Sequence, residues 1–239
     1  MINKYLAICC FFISGSVFSA SDYNESIAVR NVSDALINNE IKTFAEGGVT
    51  ALFESIPESN NSSDVIRDYH KNELSANKKY LDKKIRLSGK VSEIKSSHND
   101  GGIVEMSDAS IPGVIQLQVD ANNDYILSLS RGGFVDMVCV GDKYQMSILT
   151  MKECMPTKDL IKNIASTTKK SAKFKAASYA MFMANEDVLM SECIKSSDEC
   201  EKKLLNLMTN EKDSTNERVT NYINNHKSEI VKKFGDVFH

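Results

Sequence analysis

The sequence predicts an α+β chain built around a small five-stranded barrel, with helices before and after it. Three observations carry that prediction. Ile85, Leu87, Gly89 and Val91 alternate with Arg86, Ser88, Lys90 and Ser92, the period of a half-buried strand. Four more strand-like runs follow, at 103–106, 113–119, 134–140 and 144–151, separated by polar or glycine-bearing segments. Between the third and fourth runs the period changes, and Ala121, Tyr125, Ile126 and Leu129 fall on one side of a short helix ended by Gly132-Gly133. The resulting order, β-β-β-α-β-β, is that of an OB-fold barrel. A less regular mixed α+β domain fits the same pattern.

Residues 1–20 read as a secretory signal peptide, with Lys4 ahead of an apolar run that contains Leu6, Ile8, Phe11, Phe12 and Ile13. The run is short for a membrane span, and cleavage is expected after Ser19 or Ala20. A lipid anchor on Cys9 or Cys10 is disfavoured because Ile8 and Cys9 stand where a small residue is wanted. Lys4 is the only charge lost on cleavage, so the net charge goes from −3 to −4, which argues against general polyanion binding.

Residues 21–63 read as an N-terminal helical segment and linker. Ile27, Val32, Leu36, Ile37, Ile41 and Phe44 recur at helical steps until Gly47-Gly48. Val49, Leu52, Phe53 and Ile56 suggest a further short helix. Packing against the barrel is the favoured role for both, ahead of partner binding. Asn60, Asn61, Ser62 and Ser63 form a polar linker, and Asp64 is the expected N-cap of a helix that carries Tyr69 and Tyr80. The barrel domain is expected over 64–156, with Gly89 marking a bulge or bend.

Residues 157–239 read as a helical region. Lys158, Lys162, Lys169, Lys170, Lys173 and Lys175 make its start basic, and Tyr179, Met181, Phe182, Met183, Leu189 and Met190 make the next stretch apolar. A solvated helix face and a core are the favoured readings of these two stretches. A last helix is expected over 215–234.

The pattern Tyr69-x-x-Asn72-Glu73-x-x-Ala76, Lys79-Tyr80, Lys83, Ile85, Ser88-Gly89-x-Val91, Ile94, Val138-Cys139 and Lys152-Glu153-Cys154 resembles the tRNA_anti-like family of exported bacterial OB-fold domains. The resemblance covers about a third of the chain. It implies an OB-fold and export and brings no established activity. The family name reflects fold similarity to anticodon-binding domains.

Four cysteines follow the signal segment: Cys139, Cys154, Cys193 and Cys200. An even number in an oxidising compartment reads as two disulfides, and neighbourhood favours Cys139–Cys154 and Cys193–Cys200 among three connectivities. A regular hairpin turning at Gly141-Asp142 would hold the first pair several rungs apart, so that segment must curl. Zinc is the alternative reading of the cysteines. There is no Cys-x-x-Cys pair, and His70, His98, His226 and His239 lack ligand spacing. No cofactor is expected.

No nucleophile, zinc-protease or phosphate-loop motif is present. The pairs Asp64/Asp68 and Glu192/Glu199 have no selective spacing. The chain is therefore expected to be a non-enzymatic, periplasmic or secreted binding module for a protein or small ligand of the cell envelope. OB barrels bind across their second and third strands and the flanking loops. That places candidate contacts at His98, Asn99, Asp100, Lys143 and Tyr144, taking residues 96–102 and 141–145 as loops. Residues 103–119 hold no aromatic, Lys or Arg, which counts against a single-stranded nucleic acid. Two alternatives stand beside this reading: nucleic-acid binding through the lysines of 158–175, and an unrecognised hydrolase.

Overall fold

The computed structural model of the protein describes residues 20–97 and 101–237. Residues 1–19 of the expected signal peptide, His98, Asn99, Asp100 and His239 lie outside the described residues. The chain divides into two compact units, residues 37–174 and residues up to 36 together with those from 175 onward.

The first unit holds the barrel. Its strands are β2 (Lys84–Ser96), β3 (Gly101–Asp108), β4 (Ile111–Asp120), β5 (Phe134–Gln145) and β6 (Ile148–Pro156). A three-residue strand, β1 (Ser59–Asn61), lies parallel to β2. The ladder runs β2-β3-β4-β6-β5 and closes through β5 onto β2, with β4 and β6 parallel and the other barrel pairs antiparallel. This is the OB-fold topology. Leu87, Met106, Ile115, Leu117, Met137 and Met151 fill its interior.

Gly89 has a different role from the one its position suggests. The slip in the β2–β3 register falls at Ser92, between Val91 and Glu93. A Cβ on Gly89 would collide with Ser62 Oγ, so the glycine lets the start of helix α2 (Ser62–Lys71) approach the strand. That helix is capped by Asn61, which accepts from Ser63 N at 2.9 Å, rather than by Asp64, which lies in its first turn. The expected linker at Asn60-Asn61 is strand β1. The expected helix over 120–130 is a single turn, α4 (Asp124–Leu127), capped by Asn123.

The β5–β6 hairpin turns at Met146-Ser147, where φ is 50° and 62°. Residues 141–145 therefore belong to β5 and are not a loop. Asp142 is an extra residue on β5 and Glu153, with φ 54°, an extra residue on β6. The two slips cancel, so the register set by the turn is restored and Cys139 stands opposite Cys154, Cα to Cα 4.1 Å.

The long helix α1 (Ala20–Ala45) gives residues 37–45 to this unit. Ile41 and Phe44 pack with Phe53 and Ile56 on Val138 of the barrel, together with Leu160, Ile161 and Ile164 of α5 (Thr157–Lys170). Residues 51–56 reach that site as turns rather than as the expected helix. Thr50 Oγ1 accepts from Phe53 N at 3.3 Å, and Phe53 O accepts from Ile56 N at 2.9 Å.

In the second unit, Ala28, Val32 and Ala35 of α1 pack with Phe182, Leu189, Leu204 and Leu207. These come from α6 (Ala172–Met183), α7 (Glu186–Cys193) and α8 (Ser197–Asn210). The Cys193–Cys200 disulfide staples α7 to α8, and Asn31 Nδ2 donates to Cys193 O at 2.7 Å. The expected last helix is two, α9 (Lys212–Asn225) and α10 (Lys227–Phe234), parted at His226. Among the described residues no helix is long and apolar enough to cross a membrane.

Candidate functional site

The helix expected around Tyr69 and Tyr80 is broken at Asn72, and the break builds the most developed polar site of the barrel unit. Asn72 is extended (φ −165°, ψ 100°), and its N–H donates to Asp68 O at 3.0 Å. Its side chain caps α3 (Glu73–Tyr80) by accepting from Ser75 N at 3.0 Å. The chain folds back, and the end of α3 returns to α2. There the Tyr80 hydroxyl donates to Asp68 Oδ2 at 2.6 Å and Lys79 Nζ donates to the same oxygen at 2.9 Å.

These contacts set the local electrostatics. The Tyr80 hydroxyl, then the Lys79 ammonium, hold the Asp68 carboxyl below the usual carboxylate range. Burial, then the hydrogen bond to Asp68, raises the Tyr80 phenol. The Tyr69 ring stacks on Tyr144 at 4.0 Å and on Tyr80 at 5.9 Å between centroids. Its phenol is pushed up to about 12, chiefly by burial. Gly141 completes the arrangement, since a Cβ there would collide with the Tyr80 carbonyl.

An open cleft of 740 Å³ lies against these groups, lined by Asn60, Asp64, Arg67, Asp68, Lys71, Lys79 and Tyr80 among others. A second hollow of 350 Å³, lined by Asp68, Lys71, Asn72, Ser75, Ala76 and Lys79, shares the Asp68–Lys79 pair with it. Arg67 and Asp64 form an exposed pair at 2.7 Å. His70 is held against the carbonyl of Pro112. The arrangement offers three cationic side chains, two carboxylates and amide groups to a polar ligand, with a buried tyrosine wall behind them. Sequence reading singled out Asp68 only as half of an unselective pair.

Of the sequence-derived site residues, Lys143 and Tyr144 are among those described. Lys143 and Tyr144 lie within β5, paired with Thr150 and Leu149, and Tyr144 is engaged by Tyr69. His98, Asn99 and Asp100 lie outside the described residues, and Gly101 pairs with Asp120 at one end of the β3–β4 ladder. The Met146-Ser147 turn adjoins the other end, where Val114 pairs with both Ser107 and Ile148. Lys143 and Tyr144 lie beside the Met146-Ser147 turn, at the end of the β3–β4 ladder away from Gly101.

The outer face between them is a closed polar network. Glu105 accepts from Lys95 Nζ and Gln116 Nε2, each at 2.8 Å, and Glu93 pairs with Arg131 at 3.1 Å. Burial works to raise the Glu105 carboxyl, but those hydrogen bonds outweigh it and hold the group low.

Barrel, N-terminal cap helices and inter-strand disulfide together define a disulfide-stapled OB-fold protein. The chain belongs to the tRNA_anti-like family, whose model matches residues 1–155. The match thus extends ahead of residue 69, through α1 and β1, and ends at the barrel. Comparison with curated proteins returns no match. Among solved structures, the chain is similar to a protein from Klebsiella pneumoniae subsp. pneumoniae MGH 78578, provisionally described as a nucleic acid-binding lipoprotein. Identity is 18%, over 42% of this chain and 91% of that one, with a TM-score of 0.37. It is also similar to a provisionally described aspartyl-tRNA synthetase from Leishmania major Friedlin, at 15% identity over 44% of this chain and 21% of that one, with a TM-score of 0.29.

Proposed function

We propose that the protein is an exported, non-catalytic binding module of the cell envelope, and that its OB-fold unit takes a polar small ligand or a protein segment in the α2–α3 cleft. The observation that carries this reading is that the motif residues Lys79 and Tyr80 line that cleft and both donate to Asp68 at its wall. Tyr80 lines its wall and is backed by the Tyr69 ring, Asn72 sets the fold-back, and Lys79 lines the opening. A preformed polar wall on packed tyrosines suits orientation of a ligand without reorganisation. Two disulfides suit an oxidising compartment. The outer face of β3 and β4 is less suited to single-stranded nucleic acid, because Lys95 and Arg131 beside it are paired with Glu105 and Glu93 and the two strands bring no aromatic platform.

The test is affinity capture from the native envelope with the full mature chain as bait, run beside an Arg67→Glu/Lys71→Glu variant, with mass spectrometry of what is retained. A species held by the wild type and lost from the variant supports the reading. Equal retention by both places binding elsewhere. Turnover by the purified chain that disappears with one side-chain change overturns the non-catalytic assignment.

A further inference from the structure

We propose that the α4 end of the barrel docks on an anionic phospholipid bilayer. The proposal does not depend on the cleft. Phe134 and Leu127 are 63% and 68% exposed. Phe134 opens β5 and pairs with Lys90 across the β2–β5 ladder, which sets the two side chains beside each other on the outer face. Arg131, 71% exposed, stands three residues ahead of it. The Tyr125 hydroxyl donates to Phe134 O at 3.4 Å, and Lys158 Nζ lies 3.8 Å above the Tyr125 ring. Lys162 follows one turn along α5. The segment around this exposed aromatic thus carries four cations, Lys90, Arg131, Lys158 and Lys162, and Leu127 ends the helical turn that holds Tyr125.

The neighbouring acids are largely engaged. Glu93 is paired with Arg131, Asp136 with Arg86, and Asp159 accepts from Asn123 Nδ2 at 3.0 Å. Asp124 is the remaining one, in the first turn of α4. Exposed apolar tips ringed by long basic side chains match the boundary between anionic headgroups and acyl chains. The same cations could meet a nucleic acid, but Leu127 has no π-face and Tyr125 already carries the Lys158 ammonium on its ring. The bilayer is therefore the better fit.

The chain contains no tryptophan, so Phe134→Trp in the full mature protein installs a sole reporter. Its emission should shift to the blue with vesicles of equal phosphatidylglycerol and phosphatidylcholine, and stay unchanged with phosphatidylcholine alone. Wild-type protein should sediment with the anionic vesicles and be released by about 0.5 M salt. Phe134→Ser should weaken partitioning about tenfold. Lys90→Glu/Lys158→Glu should weaken it roughly twenty-fold or more. Both variants should melt like the wild type, since these side chains are exposed. No blue shift with anionic vesicles, partitioning unchanged in both variants, or binding to single-stranded DNA without binding to the vesicles would each overturn the proposal.

Discussion

Cys139 faces Cys154 because two one-residue slips in the β5–β6 ladder cancel. Asp142 adds a residue to β5, and Glu153, held in the left-handed region at φ 54°, adds one to β6. The bridge closes a loop of 15 residues. The Cys139→Ser/Cys154→Ser variant should lose about 3 kcal/mol of stability in denaturant unfolding. Peptide mapping without reductant should recover 139 joined to 154. Free thiols, or a bridge from either to Cys193 or Cys200, would contradict the ladder.

The turn that sets this register uses Met146 and Ser147 where both backbones are left-handed. Such turns favour Asn-Gly. Met146→Asn/Ser147→Gly should therefore stabilise the protein, by about 0.5–1 kcal/mol, with the fold unchanged. A loss of stability would place the turn elsewhere in the hairpin.

Gly89 lies too close to Ser62 for a side chain. Gly89→Ala should destabilise by about 1–3 kcal/mol, and Ser62→Gly in the same chain should recover part of that loss. A double-mutant cycle reads the coupling directly. Additive effects would show that the two residues do not meet.

Tyr80 and Lys79 hold the Asp68 carboxyl below the ordinary carboxylate range. A carboxyl whose folded pKa is depressed contributes stability that is present above its unfolded pKa and lost as pH falls through the folded one. The advantage of wild type over Asp68→Ala should be about 1–3 kcal/mol at neutral pH. It should shrink below about pH 4. Tyr80→Phe should shift the Asp68 resonance titration upward. A pH-independent difference would mean that the Asp68 charge takes no part.

Much of the barrel was legible in the residues. The alternation from Ile85 to Val91 is a local signal, and so is the closeness in sequence of each cysteine pair. What escaped depended on partners far along the chain. Tyr144 reads as a loop residue until its stack on Tyr69 is known. The Asn-rich segment becomes a strand only because β2 offers an edge at Arg86 to Ser88. Met-Ser lacks the composition of a left-handed turn, so the hairpin was read as turning at Gly141-Asp142. Gly141 in fact makes room for Tyr80. The α2–α3 cleft was missed for a related reason. Asp68 and Lys79 lie on separate helices, joined by a break at Asn72 that polar composition alone does not announce.

Calorimetric titration of the captured ligand into the mature protein, repeated with Lys71→Glu and with Lys143→Ala, tests the proposed site most directly. Lys71 lines both hollows beside the Asp68–Lys79 pair, whereas Lys143 is exposed on β5. We expect Lys71→Glu to abolish measurable binding while melting stays unchanged, and Lys143→Ala to bind as the wild type does. Retained affinity in Lys71→Glu together with loss in Lys143→Ala would contradict the account and return the site to the β5–β6 hairpin.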